Sequence, residues 1–152
     1  MNYKPENFQD VIANLTFKDS ESAASFYETA LGASEVQIMK ADNGWVMHGM
    51  MRIGDSIVFF NDEAEFTPRK APTGPQSIAF YLYVEDVDAA YEQAVANGMR
   101  PVFEPETMFW GDRTAVVTDP YFYTWTFSTQ VAEPSPEEII AGQKAMMDNM
   151  PS

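Results

Sequence analysis

There is no cysteine in this chain of 152 residues. That excludes disulfides and every metal site built on thiolates, and it suits a reducing compartment. Histidine is almost as scarce, with His48 standing alone. Basic residues are few, nine against 23 acidic ones, which leaves a net charge of −14. Such a surface repels a phosphate backbone, so no nucleic-acid partner is expected. No apolar run is long enough to span a bilayer, and the opening MNYKPENFQD lacks the apolar stretch of a secretion signal. The expectation is a soluble, cytoplasmic protein with no membrane partner.

What the chain does have is apolar mass. A chain of this length buries about 68–70% of its unfolded surface and needs no covalent staples. Eleven phenylalanines, seven tyrosines, three tryptophans and ten methionines are available for a core. The same residue types would serve an adaptable pocket wall. The acidity either maintains solubility or steers a cationic ligand.

The sequence reads as two copies of one unit. Ala13–Gly32 and Phe80–Gly98 each hold a short alternating strand, an acidic turn, an amphipathic helix and a closing glycine. Asp19 and Asp86 sit where a helix N-cap belongs, because a carboxylate there accepts from free backbone N–H groups. Gly32 and Gly98 suit the left-handed residue that ends a helix. Extended segments follow at Val36–Lys40, Trp45–Arg52 and Ser56–Phe60, and again at Arg100–Phe103, Arg113–Val117 and Thr124–Ser128. Both units therefore read βαβββ. The expected class is α+β: two βαβββ modules forming a curved, cleft-bearing mixed sheet with helices outside, plus a C-terminal helix. One domain over residues 1–152 would hold module one at 8–62, a linker at 63–76, module two at 77–130 and the terminal helix at 135–149. Ser135-Pro136-Glu137-Glu138 has the form of a capping box for that last helix.

Strand parity assigns faces. Ala13, Leu15 and Phe17 should pack under the first helix, with Phe80, Leu82 and Val84 under the second. The opposite faces then carry Ile12, Asn14 and Thr16 in one module, and Ala79, Tyr81 and Tyr83 in the other. Polar and amphipathic residues recur there, as in a pocket wall.

Several strings, in order along nearly the whole chain, resemble the vicinal oxygen chelate superfamily of glyoxalases, bleomycin-resistance proteins and dioxygenases. Within it they are most similar to the PhnB-like branch. They include Phe26-Tyr27 before Ala30-Leu31-Gly32, Met47-His48 before Arg52-Ile53-Gly54-Asp55, and Tyr83-Val84-Glu85-Asp86-Val87-Asp88. Phe109-Trp110-Gly111-Asp112-Arg113 and Asp119-Pro120 followed by Trp125 continue the series. The resemblance implies a fold that serves isomerases, lyases, dioxygenases and non-catalytic drug binders, commonly as homodimers. It also implies a divalent metal held by His or Gln and Glu. The matching positions here are Ile12, Ala79, Thr126 and either Phe59 or Phe60, none of them such a ligand. No metal and no cofactor are expected. Where the branch has Gly-His between Asp-Pro and Trp, this chain has Phe122-Tyr123, so a rebuilt turn is expected.

Candidate ligand-contacting residues are Asn14, Thr16, His48, Tyr81, Tyr83, Trp110, Arg113, Tyr121 and Tyr123. No catalytic residue is assigned: His48 is the first candidate, either as a general base or as an inert hydrogen-bonded ring, and a metal-free enzyme would use it with Tyr81 and Arg113 as acid–base groups. Arg113 either clamps a carboxylate in the cleft or pairs with one of the many acids. The leading reading is a metal-free protein that sequesters a small aromatic cation in an acidic aromatic cleft. The alternative is a lyase or isomerase acting on a small organic acid.

Overall fold

In a computed structural model describing residues 1–152, the element order follows the repeat. Module one runs β1 (Asn14–Phe17), α1 (Ser20–Leu31), β2 (Ser34–Lys40), β3 (Val46–Ile53) and β4 (Ser56–Asp62). Module two runs β5 (Phe80–Tyr83), α2 (Val87–Ala96), β6 (Arg100–Thr107), β7 (Asp112–Thr118) and β8 (Thr124–Gln130), and α3 (Pro136–Asp148) follows. Each module forms its own four-stranded sheet, in the orders β1-β4-β3-β2 and β5-β8-β7-β6. The first and last strands of each module pair parallel, and the remaining neighbours pair antiparallel. The protein is α+β with no closed barrel. The one curved sheet expected from sequence is two sheets, because no strand of one module pairs with a strand of the other.

Local chemistry explains the helices. Asp19 accepts the Ser22 N–H at 3.1 Å, and Asp86 accepts the Ala89 N–H at 3.1 Å. Gly32 closes α1 at φ +69°, where a Cβ would be costly. Ser135 caps α3 by accepting the Glu138 N–H at 3.2 Å.

Parity governs the sheets as expected in module two. Phe80–Trp125–Val117 and Leu82–Phe127–Ala115 line up across β5, β8 and β7, and the last two of each row are buried. Twenty buried residues from both modules make one cluster, and α1 and α2 pack on each other beside it. Full burial of each large apolar side chain contributes about 1.5–3 kcal/mol. The shared core lies on the helix face of each sheet, so each module keeps a helix-free face on the far side of its own sheet.

Two features of β3 stand out, a break in its alternation and a close approach. Its residues pair as Met39 with His48 and Lys40 with Val46, leaving Met47 as an extra bulged residue. Val46 therefore joins the core and does not share the His48 face, as unbroken alternation would have it. Gly49 lies under the Phe60 ring, whose Cε2 stands 2.0 Å from where a Cβ would sit. Only glycine fits there.

A buried carboxylate joins the modules. Asp119, before β8, accepts from Tyr27 Oη of α1 at 2.5 Å and from Trp125 Nε1 at 2.9 Å, both on Oδ2. Its Oδ1 accepts the Tyr121 and Tyr123 N–H groups at 2.9 and 3.0 Å. Burial holds its carboxyl above the usual range, even against these four donors. The same burial, with the Asp119 charge beside it, pushes the Tyr27 phenol well above its usual value. The two backbone bonds on Oδ1 fold the chain tightly around Phe122, which stands at φ +74°. Phe122 thus takes the left-handed conformation that glycine adopts cheaply, and phenylalanine bears the strain.

Two outcomes follow from this turn. Phe122→Gly is expected to raise stability by about 1 kcal/mol, since a non-glycine left-handed residue costs about 1–2 kcal/mol and this ring is 38% exposed. A denaturant midpoint that falls would show that the ring's packing outweighs the strain. Asp119→Asn is expected to cost about 1–3 kcal/mol, because an amide nitrogen must face donors. The folded carboxyl pKa lies above 3.8, so its protonation favours folding at low pH and that gain is lost as pH rises through the folded value. The stability advantage of wild type over the variant should therefore shrink as pH rises from about 4 towards neutrality, read from denaturant melts across pH.

Candidate functional site

The helix-free face of module two is built by the residues that alternate with its core. Register places Tyr81, Thr126, Val116 and Phe103 in one row across the sheet, with Tyr83, Ser128, Thr114 and Glu106 in the next. A cavity of about 370 Å³ opens over the first row and over Thr114 and Glu106 of the second, within the range of small-molecule sites. Tyr81, Phe103, Thr114, Val116 and Thr126 form its floor, and Glu104 and Glu106 of β6 supply its acids. Met108 and Trp110, from the turn between β6 and β7, make one wall, and Met146 of α3 makes another.

The turn and α3 are held together. Gly111, at φ +102°, accepts the Val131 and Ala132 N–H groups at 2.9 and 3.0 Å. Phe109 and Trp110 meet edge to face at 5.0 Å. Gly142 lets α3 approach Phe109 closely, since a Cβ there would stand 2.4 Å from the Phe109 Cβ. α3 thus rests on the body through a glycine, while Ile140, Met147 and Met150 remain exposed.

Beside the cavity, Asp112 opens β7 on the same face and is 8% exposed. Its Oδ2 accepts from Ser128 Oγ at 3.0 Å, Tyr83 Oη at 3.3 Å and Tyr81 Oη at 3.4 Å. The Asp112 charge holds the Tyr83 phenol above its usual value. Tyr81 and Tyr83 lie with ring centroids 5.5 Å apart, both more than half exposed.

Of the nine sequence candidates, Tyr81, Tyr83 and Trp110 come together here. Arg113 does not. It lies one residue past Asp112, on the helix face, where its Nε and Nη2 donate to Asp88 at 2.8 and 2.9 Å. Asp88 is accordingly lowered and Arg113 raised by their mutual hydrogen bonds. Tyr123 is a core residue, 8% exposed and packed on Phe17 and Phe80. Tyr121 packs on Phe17, Phe26 and Tyr27 at the seam between modules. Both phenols are raised, chiefly by burial. Neither reaches the cavity.

Asn14, Thr16 and His48 belong to module one. Thr16 is buried and donates to Asn61 Oδ1 at 3.3 Å, while Asn14 is exposed and its carbonyl accepts from Arg69 at 3.0 Å. His48 lines a separate cavity of about 270 Å³ with Phe8, Met39, Met50 and Phe59. Its ring stands edge to face on Phe59 at 4.8 Å, with no carboxylate partner. Asp112, Ser128, Glu104 and Glu106 were missed by the sequence reading. Parity from the core residues Ala115 and Val117 would have placed Arg113 on the helix face and Asp112 on the other.

The metal implied by the resemblance does not fit. No group of three or more His, Cys, Asp or Glu side chains is close enough to hold an ion. Of the matching positions, Phe60 is core, Phe59 packs on His48, and Thr126 lies on the floor beside Tyr81. An aliphatic or aromatic side chain supplies no donor.

Comparisons with known proteins agree with the architecture. An uncharacterized protein of Mycobacterium tuberculosis is 31% identical over 142 residues, covering 89% of this chain and 82% of its own. The crystal structure of TioX from Micromonospora has a TM-score of 0.64 at 20% identity, covering 84% of this chain and 100% of its own. The fosfomycin resistance protein FosX from Listeria monocytogenes has a TM-score of 0.62 at 12% identity, covering 86% and 97%. Residues 10–127 match the family described as the glyoxalase/bleomycin resistance protein/dioxygenase superfamily, and the chain belongs to it.

Proposed function

We propose that this protein binds a small aromatic cation in the module-two cavity and holds it without chemical turnover. The observation that carries this reading is the pairing of the Tyr81, Phe103 and Trp110 rings with the Glu104 and Glu106 carboxylates around one apolar space. A cation over an aromatic face gains about 0.5–2 kcal/mol. Several such contacts, with apolar burial, approach the roughly 8 kcal/mol of micromolar binding. The net charge of −14 adds long-range attraction, which salt screens beyond about 8–10 Å. Charge therefore raises the association rate, and the rings supply the affinity.

An enzyme acting on a small organic acid has less support. A carboxylate substrate needs a cation at the cavity, and Arg113 is committed to Asp88 on the other face. General-base chemistry needs an oriented base, and His48 has neither a carboxylate partner nor a place in this cavity.

We also propose that two copies pair through their helix-free faces. Met39 and Met47 in module one are more than half exposed, as are Tyr81, Tyr83 and Phe103 in module two. A second copy would cover these residues and close the open side of the cavity.

Thermal-shift titration with matched cationic and anionic arenes tests the first proposal. Cations are expected to stabilise the fold, and Trp110→Ala to weaken them about five- to thirty-fold, corresponding to about 1–2 kcal/mol. Stabilisation by anions alone would sink it. Light scattering at micromolar concentration tests the second. Twice the mass of one chain is expected, and a single-chain mass throughout would refute the pairing.

A further inference from the structure

The protons of the hydroxyl groups beside the cavity have a fixed direction. Asp112 is buried, forms no ion pair, and meets no nitrogen donor from a side chain. Its charge is met by three hydroxyls, and all three converge on Oδ2. A carboxylate only accepts, so Ser128, Tyr83 and Tyr81 must each point their single proton at it or along the chain that leads to it. Tyr81 Oη also stands 3.2 Å from Ser128 Oγ, a second route inward for its proton. Contacts of 3.3 and 3.4 Å are long for O–H···O bonds, but a buried charge orients a hydroxyl dipole at that range. The raised Tyr83 phenol is consistent, because it stays protonated and able to donate.

A hydroxyl whose proton points inward turns its lone pairs outward. Tyr81 lines the cavity, so a ligand there that reaches its hydroxyl meets an acceptor. Glu104 and Glu106 offer acceptors as well. No Lys, Arg or amide side chain lines the same space.

We propose that the cavity selects protonated amines that keep at least one N–H over quaternary ammonium ions of the same shape, with Tyr81 accepting that N–H and Asp112 fixing Tyr81 as an acceptor. This rests on the cation reading and narrows it. A quaternary ion keeps its attraction to the rings but has nothing to donate. An ammonium keeps that attraction and adds charge-assisted hydrogen bonds. Asp112 is a positioning residue here, acting through Tyr81.

The test is calorimetric titration of the full-length protein with phenethylammonium, its trimethylammonium counterpart and phenylacetate. Wild type is expected to bind the ammonium about ten-fold tighter than the trimethyl ion, the equivalent of one charge-assisted bond. Tyr81→Phe keeps the ring and removes one hydroxyl from a half-exposed side chain, so folding should survive. It should erase the preference by weakening the ammonium alone. Asp112→Asn should weaken the ammonium too, because an amide can donate and lets the hydroxyls turn outward. Equal binding of the two cations by wild type would overturn this inference while leaving the cation reading intact. A ten-fold preference that persists in Tyr81→Phe would overturn it as well. Binding of phenylacetate alone would remove the cation reading and this inference together.

Discussion

The Asp119 carboxylate ties the two halves of the molecule together. It takes a phenol from α1 of module one, an indole from β8 of module two, and two backbone N–H groups from the turn that holds it. Each of these donors would otherwise be buried without a partner, at a cost of about 1–3 kcal/mol. With that clasp in place, Phe17, Tyr27, Tyr121, Tyr123 and Trp125 pack as one aromatic block across the seam. The left-handed Phe122 is a by-product of the same carboxylate, because it lies between the two N–H groups that Oδ1 collects. Strain at one residue accompanies a satisfied interface.

Joining the modules through their helix sides decides where ligands can go. A sheet face buried in a common core cannot line a pocket, so each module is left with one face for function. The two faces have diverged although the topology is the same. Module one presents methionines, Phe59 and His48, with the N-terminal segment folded against it through Phe8 and through Gln9, which bonds both the N–H and the carbonyl of Ile57. Module two presents tyrosines, acids and Trp110, and α3 leans over it with Met146. The repeat supplies the scaffold, and the single-residue differences supply the chemistry.

What the sequence discloses is what short-range physics controls. Caps at Asp19, Asp86 and Ser135 are legible because capping depends on three or four consecutive residues. The placement of Tyr81 and Tyr83 opposite the core is legible because β5 alternates without interruption. The face of Val46 is not, since nothing local announces the bulge at Met47. The division into two sheets is not either, because it depends on which faces of distant segments meet. Tyr123 looked like a pocket aromatic, and only tertiary packing against Phe17 and Phe80 shows it to be core. The Asp119-Pro120 turn resembled one that requires glycine, and the carboxylate's backbone bonds override that local preference.

Arg113 and Asp112 show how much depends on one step along a strand. They are adjacent in sequence, so β7 sends them to opposite faces. Arg113 meets Asp88 near the start of α2, where a guanidinium and a carboxylate neutralise each other in solvent. Asp112 goes to the other face with no counter-ion, and hydroxyls alone satisfy it. Had the register slipped by one, the guanidinium would have stood beside the cavity in place of the carboxylate. The electrostatic sign of the site is thus a consequence of strand parity, which the buried Ala115 and Val117 lock by filling the core side of the same strand. Packing in the interior decides which of these two charged side chains stands beside the cavity.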